Sequence, residues 1–183
     1  DARSGACVWE FKSGDAVLAA QAVATGRLFF GSFDGHVYAL DAATGRLLWK
    51  HDTGKPVVSP PAVEGDRVVV GSRSYDLLAL DAATGVVAWQ RYIWFSWVES
   101  SPVVRDGIAY VGSSDAAAVY AFDVATGRQV WKSDVWGWAW DQPAVTANRV
   151  YIGTAGQRGY PAPHRGAVLA LDRATGRAAW QFT

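Results

Sequence analysis

Ala39-Leu40-Asp41-Ala42-Ala43-Thr44-Gly45-Arg46-Leu47-Leu48-Trp49 is one of four copies of the pattern Ala-x-Asp-x-x-Thr-Gly-x-x-x-Trp, and this repeated pattern indicates the fold class. The other copies are defined by Asp81, Gly85 and Trp89, by Asp123, Gly127 and Trp131, and by Asp172, Gly176 and Trp180. A weaker fifth copy places Asp1, Gly5 and Trp9 at the same offsets. Successive tryptophans lie roughly 40 to 50 residues apart, a spacing typical of four-stranded propeller blades.

One repeat can be divided into strands and turns. Residues 59–63, 67–72, 77–80 and 86–89 are short apolar or β-branched runs, separated by turn residues that include Gly65 and Gly85. In the shared pattern, Asp accepts hydrogen bonds from backbone N–H groups ahead of it, Gly supplies a positive φ, and Trp buries a large ring. No apolar period of 3.6 residues is sustained, so the sequence predicts an all-β chain.

The predicted fold is a β-propeller of four-stranded antiparallel blades that forms a single domain. The blades are expected at about residues 10–49, 50–89, 90–131 and 132–183, with 1–9 as a remnant outer strand.

These repeats resemble the PQQ-like, tryptophan-docking β-propeller family. The resemblance implies that the Trp, Asp and Gly positions of the pattern are structural and that each Trp docks between neighbouring blades. The family includes quinoprotein dehydrogenases, sensor domains and the propeller lipoprotein of the outer-membrane β-barrel assembly machinery. The resemblance implies that a complete ring has seven or eight blades, so four repeats correspond to about half a ring. Three readings stay open: part of a longer chain, half of a ring closed by self-association, or a small four-bladed ring.

Composition excludes several classes of partner. The 17 Lys and Arg residues balance 17 Asp and Glu residues, so no net charge attracts nucleic acid. No apolar run reaches the ~18 residues of a transmembrane helix, and no secretory leader is recognisable. The single cysteine, Cys7, cannot form an internal disulfide or the vicinal cysteine pair typical of quinoprotein dehydrogenases.

Candidate binding residues lie in the connections that lead into the third and fourth blades. They are Trp94, Phe95, Trp97, Glu99, Trp136, Trp138, Trp140 and Asp141. Alignment places Trp97 opposite Trp138, and alternation predicts one shared face for each set if the segments are extended. The aromatic residues either form a shelf that stacks a planar ring or sugar, or fill a seam or interface between blades.

A second candidate region is the insertion at residues 155–166, whose Gly and Pro content predicts a long exposed loop. Its candidate partner-binding or ligand-binding residues are Tyr160, His164 and Arg165.

The expected function is a non-catalytic scaffold for protein–protein or cell-envelope interaction. No catalytic motif, catalytic residue or metal-ligand set is recognisable, and no cofactor is expected. The alternative is a quinone- or sugar-binding domain of a quinoprotein-like dehydrogenase or sensor, with pyrroloquinoline quinone and Ca²⁺ as its cofactors. The resemblance implies an exported bacterial protein in the periplasm or outside the cell.

Overall fold

Four antiparallel sheets of four strands each make up the computed structural model, which describes residues 1–156 and 166–183. Consecutive strands pair in chain order within every sheet. The sixteen strands are β1 Ala22–Ala24, β2 Arg27–Gly31, β3 His36–Asp41, β4 Leu47–Asp52, β5 Ala62–Glu64, β6 Arg67–Gly71, β7 Asp76–Asp81, β8 Val87–Tyr92, β9 Val103–Arg105, β10 Ile108–Gly112, β11 Ala118–Asp123, β12 Gln129–Asp134, β13 Ala144–Val145, β14 Arg149–Thr154, β15 Ala167–Asp172 and β16 Ala178–Phe182. The described residues contain no helix, which confirms the predicted all-β propeller blades.

The middle strands of each blade form the core. In β6 and β7, residues on both faces are buried, as the continuous run Val68–Val70 requires. Both faces are buried because each sheet packs against the next, whereas the outer strand β8 buries mainly Trp89. A sheet covered on both faces explains why the middle strands lack polar alternation.

Docking tryptophans close the seams between blades. Trp49, Trp89 and Trp131 are buried, and the indole N–H of Trp89 donates to the carbonyl of Val124 at 2.7 Å. The ring lies on Gly127 of the following blade, where a Cβ atom would come within 2.6 Å of the indole. The pattern glycine therefore serves two purposes: it adopts a φ of 68° and leaves room for the neighbouring ring.

The Asp of each pattern organises the turn before the outer strand. Asp41 Oδ1 accepts hydrogen bonds from Thr44 N at 2.9 Å and from Thr44 Oγ1 at 2.8 Å. These bonds to the Thr44 hydroxyl and amide hold the pKa of the Asp41 carboxyl below its usual value. Asp81, Asp123 and Asp172 show the same arrangement.

The N-terminal segment covers the open face of the first blade. Asp1 Oδ1 accepts from Ser4 N at 2.8 Å, as in the other turns, and the indole N–H of Trp9 donates to Ala42 O at 3.1 Å. Trp9 thus docks on Gly45 as the other tryptophans dock on theirs. No strand is assigned to residues 1–9, and the outer strand expected there stays a prediction.

Trp180 differs from the other pattern tryptophans. Its side chain is 49% exposed and its ring contacts Tyr151 with centroids 5.9 Å apart. The predicted docking between blades is therefore not seen at Trp180 among the described residues.

Candidate functional site

Backbone hydrogen bonds bring the blade-to-blade connections into register with one another. Each connection bonds to the turn between the second and third strands of the blade that it leaves. The bonds run from Thr53 N to Gly35 O at 2.8 Å, from Ile93 N to Tyr75 O at 2.7 Å and from Val135 N to Ala117 O at 2.9 Å. The three connections can therefore be compared position by position.

The residue at the tip of each connection has a left-handed backbone. The connection that leaves the first blade has Gly54 there, with a φ of 74°. The next two have Phe95, with a φ of 44°, and Trp136, with a φ of 52°. A Cβ atom makes this conformation unfavourable, and bulky side chains rarely adopt it. Two aromatic residues thus occupy a position that glycine occupies without strain.

In the first two blades, the turn that faces the connection shows the same difference, whereas the third blade has Ala117 there, with a φ of 45°. The left-handed residue of this turn is Gly35 in the first blade, with a φ of 85°, and Tyr75 in the second, with a φ of 70°. The first blade therefore has glycine at both left-handed positions, and the second has aromatic residues at both. The rings of Tyr75 and Phe95 meet edge to face, with centroids 6.1 Å apart.

Four aromatic side chains, Tyr75, Tyr92, Trp94 and Phe95, form a cluster that we term the aromatic tip. Tyr92 contacts Trp94 with centroids 6.2 Å apart, and Trp94 contacts Phe95 at 5.3 Å, all edge to face. Trp94 is nevertheless 73% exposed and Phe95 62% exposed. The rings pack mainly on one another, so the aromatic tip is an apolar surface open to solvent, a feature typical of interaction sites.

The extended-segment prediction grouped the candidates into two faces, one of Phe95, Trp97 and Glu99 and the other of Trp136, Trp138 and Trp140. It is wrong for the first member of each group, because the left-handed turn interrupts the extended backbone at Phe95 and Trp136. Beyond the turns, alternation holds: Trp97 is exposed and Val98 is buried.

The predicted equivalence of the two connections agrees with the backbone. Val98 N bonds to Ser72 O and Ala139 N bonds to Ser113 O, which puts Trp97 opposite Trp138. By the same register, Glu99 lies opposite Trp140.

Trp138 and Trp140 form a stacked pair at the start of the fourth blade. Their ring centroids are 4.8 Å apart and the ring planes differ by 18°. Both line a cavity of about 520 Å³ that also contacts Asp141. The Asp141 backbone carbonyl accepts a hydrogen bond from Ser100 Oγ at 2.7 Å, and Ser100 O in turn accepts one from Ser59 Oγ at 2.9 Å. These serines join the inner strands of successive blades.

Arg73 is a candidate binding residue that the sequence did not reveal. Its Nε donates to Glu99 Oε1 at 2.7 Å. Its guanidinium lies 5.0 Å from the ring centroid of Trp97 and 5.6 Å from that of Phe33. Phe33, Arg73 and Trp97 come from three successive repeats, so only the closure of the blades brings them together.

At the corresponding end of the first blade, Asp34 holds the incoming N-terminal connection. Its Oδ2 accepts hydrogen bonds from Gly14 N at 2.7 Å and from the Tyr38 hydroxyl. Burial acts to raise the pKa of Asp34, but the hydrogen bonds from Tyr38, Gly14 and His36 outweigh it and keep the pKa below its usual value. A carboxylate, rather than an aromatic cluster, organises this end of the first blade.

The remaining candidates are Tyr160, His164 and Arg165 of the insertion. They lie outside the described residues and stay predictions.

Repeated four-stranded blades with docking tryptophans define this chain as a β-propeller of PQQ-like repeats. The chain belongs to the PQQ_2 family, whose model is described as outer membrane protein assembly factor BamB and matches residues 1–94 and again 91–183. A search of curated proteins gives no match.

Solved structures share the fold. BamB from Moraxella catarrhalis aligns over 100% of this chain and 56% of its own, with 24% identity and a TM-score of 0.82. Quinohemoprotein alcohol dehydrogenase ADHIIG from Pseudomonas putida HK5 aligns over 96% of this chain and 35% of its own, with 22% identity and a TM-score of 0.83. The quinohemoprotein alcohol dehydrogenase from Comamonas testosteroni aligns over 92% of this chain and 35% of its own, with 21% identity and a TM-score of 0.80. This chain thus spans 56% or less of each of these chains.

Within the part of the chain that the structure describes, no helix has the length and apolar character needed to cross a bilayer.

Proposed function

We propose that this chain is a non-catalytic scaffold that binds a protein partner in the cell envelope through the aromatic tip and Trp136. The family model, an outer membrane protein assembly factor, supports a scaffold of this kind and an exported location, periplasmic or extracellular.

The observation that carries the proposal is the strain of exposed aromatic residues. Left-handed backbone at a non-glycine residue costs about 1–3 kcal/mol. Phe95 and Trp136 sustain it with side chains that are 62% and 74% exposed. Because these side chains are largely exposed, their burial within the fold offsets little of this conformational cost. Residues that combine strain with an exposed apolar ring are typical of binding surfaces, where tryptophan and other aromatic side chains dominate the energy of association.

Glycine substitution tests the proposal without threatening the fold. In the double variant Phe95→Gly and Trp136→Gly, the left-handed turns become unstrained while the exposed rings are removed. The biotinylated 183-residue chain is incubated with a detergent extract of bacterial envelopes, and captured proteins are quantified by mass spectrometry. We expect an envelope protein captured by the wild-type chain to be reduced about tenfold or more by the double variant.

Leu47→Ala provides the matched control, because Leu47 is an exposed apolar residue on the outer strand β4, away from the connections. This variant should capture the same proteins as the wild-type chain. An identical capture profile for all three chains, with folding verified by circular dichroism, would show that the aromatic residues bind no envelope protein.

A second candidate function is the binding of a planar quinone or a sugar, and the stacked pair Trp138 and Trp140 beside their cavity favours it. The fit to pyrroloquinoline quinone with Ca²⁺ is poor. Glu99 is engaged by Arg73, and no group of three His, Cys, Asp or Glu side chains in the described residues is arranged to hold a metal. Titration with the quinone and Ca²⁺ should quench tryptophan fluorescence if this function holds, and Trp140→Ala should abolish the quenching.

A further inference from the structure

A groove of about 570 Å³ adjoins the aromatic tip and is lined by Lys55, Arg73, Tyr75 and Trp97 among others. We infer that this groove binds an acidic stretch of a polypeptide, with a carboxylate on Arg73 and Lys55 and an apolar side chain against Tyr75 and Trp97. The assignment rests on the proposed function, because the groove and the aromatic tip share Tyr75.

Arg73 is preorganised to bind an oxyanion. Its Nε is held by Glu99, and its guanidinium plane is positioned by the rings of Phe33 and Trp97. Within the described residues, its two terminal nitrogens donate no hydrogen bond. A guanidinium fixed in this way presents two parallel N–H groups, the geometry that a carboxylate accepts in bidentate fashion. The rotamer entropy that binding usually removes from arginine has already been lost here.

The charge of the groove wall is positive. Lys55 and Arg73 are its charged lining residues; Lys55 lies in the connection between the first two blades, and Arg73 lies between β6 and β7. The Lys55 side chain is exposed, on the connection that leaves the first blade. Two cations that line an open groove favour a partner with acidic groups.

Nearby acidic side chains offset part of this charge, since Glu99 pairs with Arg73, but none of them is among the residues that line the groove. Asp52 Oδ1 accepts from Gly54 N at 2.7 Å, and Asp76 Oδ2 accepts from Ser74 Oγ at 2.9 Å. Glu99 pairs with Arg73 Nε and is absent from the lining residues.

A polypeptide fits the groove better than a small acid does. The groove leads onto the rings of Tyr75 and Phe95, so a bound carboxylate has apolar surface beside it. Contact with both features requires a ligand with acidic and apolar groups a few ångströms apart, as alternate side chains of an extended peptide provide.

Selection from a random nine-residue peptide library displayed on phage tests the inference. The wild-type 183-residue chain should select peptides enriched in Asp or Glu beside aromatic or aliphatic residues. The strongest binder is then synthesised with its acids and again with the matching amides. We expect the acidic form to bind about tenfold more tightly by fluorescence anisotropy, and raised salt should reduce this preference.

Three variants separate the contributions. Lys55→Glu changes only an exposed charge, so the fold is retained and the preference for acid over amide should disappear. Arg73→Lys keeps the charge but loses the bidentate geometry, and it should weaken the acidic peptide selectively. Phe95→Gly should weaken both peptides equally.

Selected peptides without acidic residues, or an unchanged preference for the acidic peptide in Lys55→Glu, would overturn the inference. The proposed function is tested separately by the envelope capture. Displacement of the acidic peptide by inorganic phosphate, but not by acetate at equal concentration, would overturn it in favour of a phosphate site.

Discussion

The first and second blades each join a connection through similar backbone hydrogen bonds, but they differ in the side chains at these turns and in the length of the connection by one residue. Both position a left-handed turn against a left-handed connection, through the bonds from Thr53 to Gly35 and from Ile93 to Tyr75. The first blade meets this requirement with glycine at each turn, and the second meets it with Tyr75 and Phe95. The propeller scaffold therefore does not need aromatic residues there, and their presence in one blade indicates a role outside folding.

The largest effect is expected from replacing a glycine at a seam between blades. Comparing it with a glycine in open space separates the steric cost of a methyl group from the conformational cost of a left-handed residue. Gly127 and Gly107 have φ of 68° and 76°, but only at Gly127 would a Cβ atom approach another group, the Trp89 ring at 2.6 Å. Gly127→Ala should lower the free energy of unfolding by about 2–5 kcal/mol, from strain plus overpacking. Gly107→Ala should lose only about 1–2 kcal/mol in the same urea denaturation. Equal losses would show that the docking seam tolerates a methyl group.

The second prediction gives the connection of the first blade the aromatic residue that the second blade has at its left-handed turn. Gly54→Phe places an aromatic residue at a φ of 74° where no atom lies within 4 Å of a new Cβ atom. The loss is therefore conformational alone, and we expect about 1–2 kcal/mol in urea denaturation. An unchanged stability would mean that the turn relaxes, and the strain assigned to Phe95 would then be too large.

The reverse exchange has a smaller effect. Phe95→Gly relieves the left-handed strain but loses edge-to-face contacts with Tyr75 and Trp94. Phe95 makes a third contact of this kind with Tyr92, and each contact contributes about 0.5–1.5 kcal/mol. Their sum is comparable with the relieved strain of about 1–3 kcal/mol, so the free energy of unfolding should change by no more than about 1 kcal/mol. A loss of more than about 1 kcal/mol would identify Phe95 as a packing residue.

The smallest effect per blade concerns a feature that all four blades share. The hydroxyl of Thr126 and its amide lower the pKa of Asp123, so the ionised carboxylate favours the folded state. This contribution is complete above the ordinary value of 3.8 and is lost as the pH falls through the lowered folded value. The urea midpoint should therefore fall between about pH 4 and pH 2.

Thr126→Val is the matched test, because it removes the hydroxyl donor and keeps the shape. Its urea midpoint should depend less on pH than that of the wild-type chain. An equal dependence would assign the acid sensitivity to other carboxylates, such as Asp34 in the first blade.

The repeat pattern was sufficient to predict the blades, because each of its residues has a local task. Asp and Thr close a turn within four residues, and Trp needs only a glycine one repeat later. The strands predicted at 67–72 and 77–80 correspond to β6 and β7 to within one residue at each end.

The site was less predictable because its geometry is not local. The connection into the third blade has one residue more than the others between its anchoring bonds. The left-handed turn at Phe95 moves that ring off the face that the sequence predicted it to share with Trp97 and Glu99. Arg73 resembles an ordinary surface residue in the sequence, and only the packing of successive blades places Phe33, Trp97 and Glu99 around it. Glycine at the seams was predicted for its φ alone, and the contact with tryptophan became visible only with the neighbouring blade.

The uniform tryptophan joint makes the repeats interchangeable. Trp9, Trp49, Trp89 and Trp131 each meet a glycine and a backbone carbonyl of the next blade in the same way. If residues 50–89 were removed, Trp49 would face Gly127 and the carbonyl of Val124, which are the same partners in a different blade. Duplication or deletion of a whole repeat therefore leaves every remaining joint matched, and a propeller of this type can gain or lose blades without redesigning any of them.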